Sequence, residues 1–198
     1  MKTLFGLVLC GGHSSRMGED KSLLNYNGKP QRYYLYEMLQ PFCEKVFLSC
    51  NKEQLNGIPK SYETIVDDNQ YAEIGPMAAV LSAFDKYPNA SFLVVGCDYP
   101  FLRKKHLQDL VDARIGLDDA VFFSNPETKI EEPLVCIYEN NSHKKLLTNF
   151  KEKKYSLRHF LHEANTCMIF PGSFDFLQSV DDVESFQKAK ELLYAKLN

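Results

Sequence analysis

The sequence predicts a doubly wound α/β fold, a mostly parallel sheet with helices on both faces. Three observations carry the prediction: short apolar runs recur along the first half of the chain, each stops at glycine or polar residues, and stretches of helical periodicity separate them. Continuous apolar runs suit strands buried on both faces. Strands that alternate with helices need right-handed crossovers, which make the sheet parallel.

Residues 4–10 (LFGLVLC) form the first run, and it stops at Gly11 and Gly12, where a strand hands over to a loop. Residues 46–50, 64–66 and 92–96 repeat the pattern with β-branched and aromatic side chains. Tyr33, Tyr34, Leu35 and Tyr36 sit on a helix expected to pack against the sheet. Pro76 opens another helix, whose Met77, Val80, Leu81 and Phe84 recur at i, i+3, i+4 and i+7; Leu107, Leu110 and Val111 mark a third. In the less regular second half, residues 120–123 and 134–138 read as strands and residues 142–150 and 155–163 as helices. A last helix, about residues 182–197, buries Val183, Phe186, Ala189 and Leu193. Lys151-Glu152-Lys153-Lys154 reads as a solvated turn. No repeat or linker-like shift divides the chain, so a single domain of residues 1–198 is expected.

Composition agrees with this and narrows the function. The 198 residues are 44% hydrophobic and 25% charged with net charge −3, which excludes a disordered, collagenous or coiled-coil chain. A slightly acidic balance argues against nucleic-acid binding, which needs clustered Lys and Arg. No apolar run reaches the roughly 18 residues of a membrane span, and Met1 leads straight into a strand rather than a signal peptide, so a cytoplasmic protein is expected. The six cysteines (Cys10, Cys43, Cys50, Cys97, Cys136, Cys167) contain no C-x-x-C pair and read as reduced, buried small hydrophobes.

In a doubly wound sheet, ligands collect at the carboxyl ends of the strands, near the point where strand order reverses. The polar residues there are Gly11 onward, Asn51, Asp67-Asp68 and Asp98. Residues 11–21 (GGHSSRMGEDK) combine glycines, hydroxyls, Arg16 and Lys21 in a loop able to wrap a triphosphate; the plainer reading is a glycine-rich turn with its charges in water. Neither a Walker A nor a G-x-G-x-x-G spacing is present. Asp98, just after an apolar strand, suits a hard cation such as Mg²⁺, or else a turn or the cap of a helix near Arg103. One carboxylate of Asp67-Asp68 can accept from a guanine, with Gly75-Pro76 presenting helix N–H groups to the same end of the sheet; solvated turn residues are the alternative. Asn51 can contact base or ribose or simply form a turn. No G-x-S-x-G elbow exists, and Arg158, His159 and His162 read as an anion patch or a solvated helix face.

Taken together, these segments resemble the molybdenum cofactor guanylyltransferases, nucleotidyltransferases of Rossmann-like, nucleotide-diphospho-sugar transferase-like fold. The likeness rests on residues 9–21 (L-C-G-G-H-S-S-R-M-G-E-D-K), similar to the family's L-A-G-G-x-S-x-R-M-G-x-D-K, and on Leu23-Leu24 and Gly28-Lys29-Pro30. It continues through Asn51, Asp67-Asp68, Gly75-Pro76-Met77-Ala78, residues 97–102, Glu132-Pro133-Leu134 and Ser156-Leu157-Arg158, over about residues 4–162. The resemblance implies transfer of GMP from Mg-GTP to molybdopterin, with pyrophosphate released. It implies that Leu9, Cys10 and Gly11 line base and ribose through their main chain, and that Gly12, Ser14, Arg16 and Gly18 cradle phosphates. Lys21 stabilises the α-phosphate, with Arg16 and Asp98 also catalytic; Asn51, Asp68 and Gly75 bind the nucleotide, and Asp98 holds Mg²⁺. Residues 1–115 become the GTP-binding half and residues 116–198 the acceptor half. A monomer or weak oligomer, in transient contact with molybdoenzyme maturation proteins, is expected. The chain departs from the family near its end: in place of F-x-N-x-N-T-P it reads FLQSVDD at residues 176–182, a region expected near the catalytic end and the second substrate. The alternatives are a related nucleotidyltransferase that uses CTP or another phosphorylated acceptor, and a non-catalytic nucleotide-binding accessory protein.

Overall fold

The computed structural model describes residues 2–11, 20–125 and 127–195. Strands β1 (Leu4–Leu9), β2 (Lys45–Cys50), β3 (Thr64–Val66), β4 (Ser91–Gly96), β5 (Ala120–Ser124), β6 (Glu131–Tyr138) and β7 (Thr166–Ile169) form one sheet in the order β3-β2-β1-β4-β6-β5-β7. β6 runs antiparallel to both β4 and β5, and the other four pairings are parallel, so the sheet is mostly parallel as expected. The chain builds outward from β1 to β3 and then returns to lay β4 on the other side of β1. That reversal opens a crevice at the carboxyl ends of β1 and β4.

Alternation along β1 shows how the two faces are covered. Phe5, Leu7 and Leu9 join one apolar cluster with α3 (Pro76–Lys86), α5 (Ser142–Lys151) and α6 (Leu157–Glu163); Leu4, Val8 and Cys10 join a second with α1 (Gln31–Leu39) and α4 (Lys104–Asp112). Leu7, Leu39 and Phe92 are fully buried, and truncating any such side chain to Ala costs about 2–5 kcal/mol. A third, smaller cluster packs Ala189 and Leu193 of α7 (Val183–Ala195) on Leu24, Tyr26 and Val180. The last helix therefore braces the chain just after the glycine-rich segment, away from the two faces of the sheet.

The expected strands and helices form, with ends shifted by a few residues. β6 starts at Glu131 rather than 134, because the sheet accommodates Pro133 beside a register shift between Phe122 and Ser124 of β5. Two elements escape the sequence pattern. α2 (Lys52–Leu55) is a single turn, too short to show a period, and β7 is a half-buried edge strand without alternation. Tyr33 and Tyr36 pack on Tyr62 of the β2–β3 connection, with ring centroids 4.3 and 5.0 Å away. Residues 151–154 are exposed, as a solvated turn should be.

At the opposite pole from the crevice, Arg114 and Glu139 form a buried ion pair. Glu139 also accepts from the Ser91 hydroxyl, and Arg114 donates to the Lys2 carbonyl, so neither charge is left unsatisfied. No disulfide joins the six cysteines; burial pushes the Cys43 thiol up to about 12 and Cys50 to about 11, which leaves both unreactive. His106 stacks on Phe176 with centroids 3.7 Å apart, and its Nδ1 accepts from the Arg103 amide. Burial, with Lys105 and Arg103 nearby, lowers its pKa to about 4, so it serves as a neutral helix cap. Among the described residues no helix is long and apolar enough to cross a membrane.

Candidate active site

The crevice is built outward from the end of β1. Leu9 pairs with Ser49 of β2 and Gly96 of β4, which commits its main chain to the sheet. The Cys10 amide donates to the Ser49 carbonyl at 3.0 Å, and the Cys10 carbonyl accepts from Gln54 Nε2 at 3.0 Å. The main chains of Leu9 and Cys10 thus end the strand at the mouth of the crevice, with one lone pair of the Cys10 carbonyl taken by Gln54. Gly11 is exposed and stands against Asp67: a Cβ built on it would lie 3.5 Å from Asp67 Oδ2. The expected phosphate cradle of Gly12, Ser14, Arg16 and Gly18 lies outside the described residues.

The chain resumes at Asp20, whose Oδ1 accepts from the Ser22 amide at 2.9 Å and starts a 3-10 turn, Lys21–Leu23. This turn aims Lys21 at the C-terminal segment. Its Nζ donates to Asp181 Oδ1 at 2.9 Å and to the Val180 carbonyl at 3.2 Å, and the ammonium holds the Asp181 carboxyl below its ordinary value. The Val180 amide in turn donates to the Asp98 carbonyl at 2.9 Å. Lys21, Asp98 and the segment that departs from the family motif therefore meet at one place.

Asp98 follows β4 by a two-residue turn and does not cap α4, whose N-cap is Arg103. Its pKa rises to about 6, chiefly through burial, with Glu132 and Asp181 adding repulsion and Lys21 opposing it. Among the described residues no side chain donates a hydrogen bond to its carboxylate, which leaves hard oxygen donors in a largely dry site. That chemistry fits Mg²⁺, which takes one or two carboxylates and completes its shell with water and phosphate oxygens. Consistent with so sparse a donor set, no three His, Cys, Asp or Glu side chains among the described residues gather as a metal cluster.

Gly96 makes room for this carboxylate. A Cβ there would lie 2.6 Å from Asp98 Oδ1 and 3.2 Å from the Tyr99 ring, so the carboxylate would have to shift. Gly96→Ala is expected to cost about 1–3 kcal/mol of stability and to impair turnover in the fraction that folds. Urea denaturation with assays on the folded protein checks this, and full turnover would show that the carboxylate's position is not critical.

Glu132 completes the acidic side of the crevice. β6 pairs with β4 as far as Val135 opposite Val95, and Glu132, three residues before Val135 on β6, lies close enough to Asp98 to raise its pKa. Its Oε1 accepts from Tyr99 Oη at 2.7 Å and from the Leu134 amide at 3.2 Å; burial raises its pKa, while these bonds pull it back. Asp181, Glu132, Asp67 and Gln54 were not singled out from the sequence, although Glu132 lay within a quoted motif and Asp67 was one of two candidates.

Other expected nucleotide residues have local structural work. Asn51 caps α2: its side chain accepts from the Gln54 amide at 2.8 Å in a reciprocal capping box. Asp68 caps the 3-10 turn Asn69–Tyr71 by accepting from the Gln70 amide at 2.9 Å. It is Asp67, accepting from the Ser49 hydroxyl at 2.6 Å and pushed upward in pKa by burial, that faces Gly11. Gly75 has φ +66° and opens α3, a conformation that suits glycine. His159 and His162 lie beside Glu163 and Glu131 on an exposed helix face, which favours the solvated reading. A cavity of about 220 Å³ borders Phe101, Ser179, Val180, Lys188 and Leu192, and Lys21, Asp98 and Asp181 do not line it.

Comparison with known proteins gives the family and the fold. Residues 6–167 match the family described as MobA-like NTP transferase domain. A molybdenum cofactor biosynthesis bifunctional protein of Synechocystis sp. is 38% identical over 137 residues, covering 68% of this chain and 39% of that protein. A molybdenum cofactor guanylyltransferase of Ectopseudomonas mendocina is 31% identical over 106 residues, 53% of this chain and 52% of the relative. The chain thus spans about two fifths and one half of these two relatives. Among solved structures, molybdopterin-guanine dinucleotide biosynthesis protein A from Archaeoglobus fulgidus superposes with TM-score 0.78 at 19% identity, covering 96% of this chain and 99% of that one, a likeness of fold.

Proposed function

Since the chain belongs to the family of MobA-like NTP transferase domains, we propose that it transfers GMP from GTP to the terminal phosphate of molybdopterin and releases pyrophosphate. The observation that carries the reading is the meeting of Lys21 and Asp98 at the carboxyl ends of β1 and β4. In this reading an oxygen of the pterin phosphate attacks the α-phosphorus of GTP in line. One P–O bond forms as the bond to pyrophosphate breaks, so no protein nucleophile is required and catalysis is positioning plus electrostatic stabilisation.

Lys21 leaves Asp181 to place its ammonium against the α-phosphate as charge builds there. Asp98 would hold Mg²⁺, which when bound neutralises phosphate charge. Residues 1–115 supply most of the donor side, yet Asp181 reaches across from the expected acceptor half, so the two halves share the reaction centre. The same reading has a monomer or weak oligomer act in the cytoplasm and hand its product to molybdoenzyme maturation proteins.

The test is to incubate the full chain with Mg²⁺, molybdopterin and either GTP or CTP, and to measure pyrophosphate and dinucleotide. Product from GTP and none from CTP is expected. Product from CTP alone would reassign the nucleotide; GTP binding without turnover on any phosphorylated acceptor would make the protein a binding accessory.

A further inference from the structure

We propose that Gln54 is a positioning residue for the nucleotide, a single carboxamide that ties together the two ends of the glycine-rich segment and through Asp20 sets the direction of Lys21. The inference rests on the reading of Lys21 as a phosphate-directed group. Its geometry is independent of that reading. The Gln54 Oε1 accepts from the Asn51 amide at 3.1 Å, which turns the NH₂ group toward the crevice. There it donates twice, to the Cys10 carbonyl at 3.0 Å and to Asp20 Oδ2 at 2.9 Å. Cys10 and Asp20 flank the segment on either side, so both of its stems are held by one side chain anchored on the neighbouring β2–α2 turn.

Asp20 needs this restraint for an electrostatic reason. A carboxylate next to Lys21 would repel a bound triphosphate if it swung toward it. Instead Oδ1 is held by the Ser22 amide and Oδ2 by Gln54, and Arg32, only 4% exposed, sets its Nη1 4.0 Å from the same Oδ2. Arg32 is itself fixed, donating to the Gly57 carbonyl and to Tyr33 Oη. The requirement at position 54 is chemical as well as steric. Both outward partners are acceptors, so a carboxamide fits where the isosteric carboxylate of glutamate would face a carbonyl and a carboxylate with nothing to donate.

The experiment compares the unaltered full chain with Gln54→Met, Gln54→Glu, Lys21→Met and the Gln54→Met/Lys21→Met double variant. The readouts are GTP binding with Mg²⁺ by calorimetry, kcat and KM, and thermal unfolding. Gln54→Met, of similar size but unable to donate, is expected to lower kcat about tenfold with GTP binding little changed, and Gln54→Glu to lower it more. The Gln54→Met effect is expected to shrink to less than about twofold when Lys21 is already lost, because coupled residues are non-additive. A kcat unchanged in Gln54→Met, or the same loss of kcat with and without Lys21, would overturn the proposal and leave Gln54 a structural brace. If the unaltered protein binds no GTP, the nucleotide reading fails and the positioning role falls with it. Amide exchange of Leu23 and Leu24, which donate to Asp20 and Lys21, then shows whether the brace itself exists: faster exchange in Gln54→Met supports it, and unchanged protection removes that too.

Discussion

Replacing Asp98 by asparagine is expected to lower GMP transfer about a thousandfold and at the same time to stabilise the metal-free protein. The two effects share one cause. Asparagine has nearly the same shape, so the space left by Gly96 and the Tyr99–Glu132 bond survive, while the charge that would hold Mg²⁺ is gone. In the free chain an aspartate titrates near 3.8, whereas burial lifts Asp98 to about 6. Between these values the folded protein binds the proton more tightly than the unfolded chain does. Stability contributed by this group therefore rises as pH falls from about 6 towards 4, and above pH 6 the buried charge is a standing cost on the order of 3 kcal/mol. The asparagine variant lacks that cost. Urea midpoints in the presence of a chelator are expected to favour the variant at pH 7.5 and to converge with the parent near pH 4. A variant that loses transfer and stability together at pH 7.5 would make Asp98 a structural residue instead of a metal-holding one. Stability given up at a catalytic position for the sake of function is a common trade.

Lys21→Met is expected to lower kcat by about 10²- to 10³-fold with little effect on stability. Its ion pair with Asp181 is partly exposed, with side chains 24% and 57% accessible, and pairs of that kind contribute about 0–1 kcal/mol. An ammonium directed at charge that develops only in the transition state shows its loss in kcat. Steady-state kinetics separate this from ground-state binding. A rise in KM with kcat intact would reassign Lys21 to holding the resting triphosphate. Removing Lys21 also takes away the cation that opposes the upward shift of Asp98 while Asp181 remains, so the Asp98 titration is expected to move further upward, measurable by carboxyl NMR.

The strands and the crevice were legible because buried parallel strands announce themselves as continuous apolar runs, and ligands gather where such runs end. Asp98 lies just beyond such a run, and Lys21, eleven positions after Cys10, closes the glycine-rich segment that follows another. Asn51 and Asp68 show where residue type leaves a choice open. A polar residue after a strand can face a ligand or cap the next turn, and the choice depends on where Gln54 and Gln70 place their amides. The partners of the Cys10 amide and carbonyl, Ser49 and Gln54, lie 39 and 44 positions away and could not be read from the run itself.

The sequence by itself determined which segments are strands and where the polar residues that end them lie, because periodicity and residue type are local properties. Only the tertiary structure decided the company those residues keep. Asp181 is 160 positions from Lys21 and sits in a segment that lacks the family's asparagines. It arrives at the site because α7 packs on Leu24 and Tyr26 and the Val180 amide binds the Asp98 carbonyl. Glu132 likewise comes near Asp98 because β6 pairs with β4, a pairing that no short window of sequence encodes. Burial then raises the pKa of Asp98 and Glu132, and burial belongs to the whole packed chain.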